Sequence, residues 1–71
     1  MTTLTRAKVL ANIKEANQLV DQLKREAVDS FMYGEHMDTL DLILEILEMN
    51  ASFYTLHKSK KTGHYFVKFA Q

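Results

Sequence analysis

The sequence predicts an α+β fold with the element order α-α-β-β: a long N-terminal helix, a shorter second helix and a C-terminal two-stranded antiparallel hairpin. Two observations indicate this order. Up to about Asn50, apolar residues recur every three or four positions, which is the period of an amphipathic helix. Beyond it, aromatic and β-branched residues lie on both sides of a turn that contains Gly63, as in a hairpin. The chain has 71 residues, so we expect residues 1–71 to form one small domain.

The first helix is predicted over about residues 4–32. Spacings of three and four place its apolar residues on one face, which is expected to lie in the core or in a dimer interface. That face consists of Val9, Ile13, Ala16, Val20, Leu23 and Ala27. Thr3 or Thr5 can cap the start of this helix, and Gly34 can take the left-handed conformation that ends it.

The second helix is predicted over about residues 38–51, with Asp38 as its N-cap and Met37 packing on Leu42 as a hydrophobic staple. Acidic residues form a stripe along this helix, which we call the acidic stripe: Asp38, Asp41, Glu45 and Glu48. Apolar residues cover most of the rest, in a broad arc around Leu44 and in a second strip made of Leu42, Ile46 and Met49. A helix that is apolar nearly all round is buried on more than one side. We therefore expect it to contact helix 1 and, in addition, the hairpin or another subunit.

The hairpin is predicted over about residues 53–70, with the turn at residues 59–63. A register that pairs Leu56 with Val67 keeps the apolar residues on one face, whereas a slip of one residue would mix the two faces. In this register Tyr54 pairs with Phe69. An alternative continues helix 2 as far as Lys58, but the aromatic, strand-like residues 53–57 favour the hairpin.

The charges are unevenly distributed although the net charge is +0. Residues 1–50 contain all nine acidic residues and five of the nine basic ones, whereas residues 51–71 contain four lysines and no acid. The basic segment interleaves lysines with histidines and an aromatic residue, and we predict a partner-binding face there: His57, Lys58, Lys60, Lys61, His64, Phe66 and Lys68. The acidic stripe is the second candidate surface for a partner.

Catalytic and cofactor chemistry find no support in the sequence. The chain has no cysteine, and two glycines cannot form a glycine-rich phosphate loop. His57 and His64 would supply two ligands to a zinc ion, but a closed structural site needs four. Glu35, His36 and Asp38 would add ligands only if the interhelix loop lay near the hairpin. We therefore expect no metal, no cofactor and no enzymatic activity.

A homodimer is expected because helix 1, at about 29 residues and about 43 Å, would be twice as long as helix 2. The unmatched part of its apolar face needs a partner, and a second copy is the simplest one. No apolar run approaches the ~20 residues of a membrane span. We expect a cytoplasmic protein that does not enter membranes.

The leading functional prediction is a non-enzymatic protein-interaction module, an inhibitor, adaptor or regulator that acts by binding surfaces as a homodimer. Phe53 and Phe66 lie away from the predicted core, so they are either interface anchors or parts of a larger core. The main alternative is a small nucleic-acid-binding regulator that uses the basic hairpin, since lysines neutralise phosphates and aromatic rings stack on bases. A third possibility is a small molecule bound between helix 2 and a partner subunit.

Overall fold

The structure, a computed structural model, describes residues 4–70 and confirms the α+β class and the α-α-β-β order. The elements are α1 (Arg6–Arg25), α2 (Phe31–Met49), β1 (Tyr54–Lys58) and β2 (Tyr65–Phe69). Over the described residues, neither helix combines the length and the apolarity that a membrane span requires.

The boundary between the helices differs from the prediction. α1 begins after Thr5, whose hydroxyl accepts a hydrogen bond from the Lys8 amide, whereas Thr3 lies outside the described residues. The predicted end at residue 32 is wrong, because the backbone turns extended at Glu26, and α2 starts after a new N-cap at Ser30. The Ser30 hydroxyl accepts a hydrogen bond from the Tyr33 amide at 3.1 Å.

Four predictions are wrong because the boundary lies elsewhere. Asp38 is not an N-cap but an exposed residue inside α2, so the proposed staple at Met37 does not exist either. Gly34 does not end α1; it lies in the first turn of α2. Ala27 belongs to the connection and is exposed, so it is not part of the apolar face of α1. The spacing of apolar residues by three and four positions continues through the connection between the helices. The pattern therefore did not indicate that a new helix begins after Ser30.

The core lies between the two helices and the start of the hairpin. Its buried residues are Val9, Ile13, Ala16 and Leu19 from α1, Leu40, Ile43 and Leu47 from α2, and Tyr54 from β1. Val20 and Leu23 are half-buried at its edge. Val9 and Leu47 are fully enclosed, and burying a side chain of this size stabilises the fold by about 1.5–3 kcal/mol.

The hairpin has the predicted register. Leu56 pairs with Val67, Tyr54 with Phe69 and Lys58 with Tyr65 in an antiparallel ladder. The alternative in which helix 2 continues to Lys58 is wrong, since α2 ends at Met49. Gly63 has a φ of 76°, and this left-handed conformation explains why the turn uses glycine.

Polar contacts attach the hairpin to α1, and we call this set the α1–β2 seam. The Asn17 side chain bonds the backbone of Tyr65 twice, accepting from its N–H at 2.6 Å and donating to its C=O at 3.0 Å. Lys24 donates to the Thr62 carbonyl, and the Arg6 guanidinium lies 4.6 Å from the centroid of the Phe69 ring. The seam places β2 on α1.

Candidate protein-binding surfaces

One side of α2 presents apolar side chains to solvent. We call this set the α2 strip: Phe31, Leu42, Ile46 and Met49. Phe31 and Met49 are 79% and 78% exposed, and Leu42 is 56% exposed. The predicted second apolar strip therefore exists, but the hairpin does not cover it, because the hairpin contacts mainly α1. The α2 strip is therefore exposed in the single chain.

The acidic stripe borders the α2 strip on one side only. Its four residues are all exposed, as predicted. At about 100° per residue, the opposite border carries the uncharged residues Met32, Thr39 and Asn50, and the exposed Glu35 lies within the strip, between Phe31 and Leu42. The two borders of the strip therefore differ in charge, and this asymmetry restricts how a partner helix can lie on it.

The residues of the predicted partner-binding face do not lie on one surface. They are distributed over the outer face of the hairpin, its inner face and its turn. Lys58, Lys60, Lys61 and Lys68 are all exposed. Lys68 and Phe66 lie on the outer face, whereas Lys58 lies on the inner side with its ammonium 5.6 Å from the centroid of the Tyr65 ring. Lys60 and Lys61 lie in the turn between the strands. The lysines share a region but not one surface.

The two hairpin histidines have separate partners. His57 stacks on Phe66, with ring centroids 5.2 Å apart, and its Nε2 lies 3.0 Å from the Thr55 hydroxyl. His64 joins the α1–β2 seam through an Nε2–Oδ1 contact of 2.7 Å with Asp21. The hydrogen bond from His64 is the main reason why the pKa of Asp21 is lowered from its ordinary value of 3.8.

A shared metal site does not form from these residues. His36 is engaged by Glu26 in the interhelix connection, with Nδ1 and Oε1 2.6 Å apart. Within residues 4–70, no three metal-ligating side chains come together. The histidines therefore act as local polar contacts of the fold.

Phe53 belongs to the core and Phe66 does not. The Phe53 ring packs edge-on against Tyr54 at 5.0 Å and stacks on Phe69 at 5.9 Å, so it completes the core at the start of β1. Phe66 is 42% exposed on the outer face of the hairpin. Of the two candidate anchors, Phe66 alone is accessible to a partner.

A groove of ≈ 460 Å³ opens between α1, α2 and the turn end of the hairpin. Its lining includes Val20, Leu40, Leu44 and Tyr65, with Lys24 and Lys58 at the hairpin end. The prediction missed this groove because it began helix 2 at residue 38, so that Tyr33 and Met37 were not assigned to a helix face.

No protein-family model, no curated protein and no solved structure matches this chain. The surfaces themselves are therefore the basis for a function.

Proposed function

We propose that this protein is a non-enzymatic interaction module that dimerises through the α2 strip and leaves the hairpin available to another protein. The observation behind the proposal is the cluster of exposed apolar side chains at Leu42, Ile46 and Met49, which covers about 10 Å of helix; Phe31 lies on the same face beyond the exposed Glu35. A contiguous exposed apolar surface of this kind marks an interaction site.

A second copy of the chain is the partner that the strip fits best. A chain of this size has a marginal core, and oligomerisation is a common source of added stability. The two helices, at 20 and 19 residues, have nearly equal lengths, so the earlier expectation of an unmatched end on helix 1 is wrong. The case for a dimer therefore rests on the α2 strip and not on helix length.

The acidic stripe favours parallel packing of α2 on its copy. In an antiparallel twofold pair, each border of the strip meets the same border of the partner, so Asp38 and Glu45 would face the acidic stripe of the second copy. In a parallel pair, each acidic border meets the uncharged border that contains Thr39. Parallel packing therefore keeps the two acidic stripes apart, although the exposed Glu35, seven residues before Leu42, would lie beside its own copy.

Light scattering coupled to size-exclusion chromatography tests the dimer. One chain has a mass of 8.2 kDa, and we expect the native protein to run at about twice this mass at micromolar concentration. Ile46→Glu should return the mass to that of one chain, because it places a charge within the α2 strip. Thr55→Glu, an equivalent change at an exposed position of the hairpin, is the matched control and should leave the dimer intact. A native protein with the mass of one chain would contradict the proposal.

A second candidate function, nucleic-acid binding by the hairpin, is favoured by a specific observation. Residues 51–71 contain no acid, and Phe66 is exposed beside Lys68 on the outer face. Lysines that neutralise phosphates would give an affinity that falls with salt. Fluorescence anisotropy with labelled single-stranded DNA or RNA tests this function. Loss of binding in a Lys60→Glu, Lys61→Glu, Lys68→Glu variant would support it, and no binding at low salt would exclude it.

A further inference from the structure

The outer edge of β1 is an open hydrogen-bonding edge. The bonds from Ser59 N–H to His64 C=O and from Ala70 N–H to Phe53 C=O set the alternation of the ladder. By this alternation, the main-chain groups of Leu56 and Lys58 point away from β2. No hydrogen bond within residues 4–70 engages them.

The two edges of the hairpin differ at the turn end; the outward main-chain groups of Val67 and Phe69 on β2 make no hydrogen bond within residues 4–70, but β2 packs against α1. On the β2 edge, the Asn17 side chain occupies both main-chain groups of Tyr65. On β1 the only charged residue is Lys58, at the end of the strand, and neither a proline nor a bulge interrupts the ladder. Folded proteins usually protect exposed edges with such features. An unprotected edge is a template for another strand.

The groove lies where an added strand would place its inward side chains. β2 lies on α1, and strands are spaced by about 4.8 Å whereas packed helices are spaced by about 8–10 Å. A third strand beside β1 would therefore lie over α2, with alternate side chains above the groove residues Leu40 and Leu44. The groove is open at present and apolar at its floor.

The charges around the groove indicate which groups the end of the bound segment near the turn carries. Lys24 and Lys58 line the hairpin end of the groove, and Lys60 and Lys61 continue the positive charge into the turn. Asp41, on the α2 side, is the one acidic residue in the lining. An acidic group at the end of the bound segment that reaches the turn would meet these ammonium groups.

We propose that the β1 edge and the groove together bind an extended acidic peptide segment of a partner protein. The segment adds a third strand to the hairpin, places apolar side chains at alternate positions over α2 and ends in carboxylates beside Lys24 and Lys58. A second copy of this chain would pair its β1 with β1 about a twofold axis normal to the sheet. The α2 helices of both copies would then lie on the same side of the sheet, where the third strand has to lie, so a second copy is a poor occupant. This site is separate from the α2 strip.

A peptide titration followed by amide NMR tests the site. The probe is a nine-residue peptide that alternates valine and threonine and ends in two glutamates, and its counterpart ends in two lysines. We expect the acidic peptide to shift the amide signals of Leu56 and Lys58, and to bind about tenfold more tightly than the basic one. No shift at about 1 mM peptide, or equal affinity of the two peptides, would overturn the proposal.

Methylated peptides and charge reversal sharpen the test. N-methylation of the alternate residues that face β1 should abolish binding, whereas methylation of the intervening residues should not, because only one set donates to the edge. Lys58→Glu should reverse the preference between the two peptides. Lys68→Glu, on the outer face, is its matched control and should not. Ile46→Glu should leave peptide binding unchanged, so failure here and failure of the dimer are separate results.

Discussion

The two helices of this protein face the hairpin in different ways. α1 is joined to β2 by the directional polar contacts of the seam, among them the paired hydrogen bonds of Asn17 to Tyr65. α2 contributes buried residues to the core, but within residues 4–70 its one direct hydrogen bond to the hairpin is donated by the Tyr54 hydroxyl to the Leu47 carbonyl at 2.6 Å. α1 therefore orients the hairpin. α2 leaves two of its own sides open, the α2 strip and the side that lines the groove.

This difference separates the part of the molecule that determines its shape from the part that is available to partners. Directional hydrogen bonds specify one arrangement, because a buried donor or acceptor without a partner is costly. Apolar surface is less specific, and it stabilises whichever contact removes it from water. The seam thus explains why the hairpin lies where it does, and the α2 strip indicates where another chain would bind.

The largest difference in stability is expected between substitutions on the buried side and substitutions on the exposed side of α2. Leu47→Ala should lower the free energy of unfolding by about 2–5 kcal/mol, because Leu47 is fully enclosed and the change leaves a cavity. Leu42→Ala, the same substitution on the α2 strip, should cost less than about 1 kcal/mol in the dissociated chain, where Leu42 is 56% exposed. Urea denaturation at a protein concentration low enough to dissociate the dimer measures both. Similar losses for the two variants would mean that the faces of α2 are wrongly assigned.

A smaller effect is expected at the seam. Asn17→Ala should lower the free energy of unfolding by about 1–3 kcal/mol, because it removes two hydrogen bonds and leaves both main-chain groups of Tyr65 without their partner. Hydrogen exchange at the Tyr65 amide should accelerate more than exchange in the α1–α2 core. Gln18→Ala, at the exposed neighbouring position, is the control and should change neither quantity. Unaltered exchange at Tyr65 would show that the seam does not hold the hairpin.

The smallest effect is a gain in stability at Gly34. This glycine lies inside α2, and a Cβ added there would meet no atom within 4 Å. Gly34→Ala should therefore raise the free energy of unfolding by about 0.5–1 kcal/mol. Gly63→Ala is the contrasting variant, because Gly63 has a positive φ, and it should destabilise the protein. A loss of stability in Gly34→Ala would favour the original prediction that this residue ends α1.

Local patterns predicted the elements well and their boundaries less well. The hairpin register followed from the apolar residues at alternate positions around Leu56 and Val67, since only one register keeps one face apolar. The end of α1 was misplaced because Ala27 and Phe31 continue the helical spacing although both are exposed. Ser30 was the available signal, being a strong N-cap residue directly before the start of α2.

The candidate surfaces could likewise be predicted where a local pattern determines them, and not where residues far apart in the sequence meet. The acidic stripe could be predicted because one helical period determines it, and its residues are all exposed. The seam could not, because the Asn17–Tyr65 and Asp21–His64 contacts join residues far apart in the sequence. The groove depends on where α2 begins, so the error at that boundary concealed it.

Cysteine cross-linking tests whether the α2 strip is the surface on which a second copy packs. The chain has no cysteine, so Leu42→Cys, Ile46→Cys and Met49→Cys each introduce a single thiol. In a parallel pair every position of the strip meets its own copy, and we expect all three variants to form disulfide-linked dimers under mild oxidation. Lys68→Cys, on the outer face of the hairpin, should not. Cross-linking of the three α2 variants no faster than that of Lys68→Cys would contradict the claim.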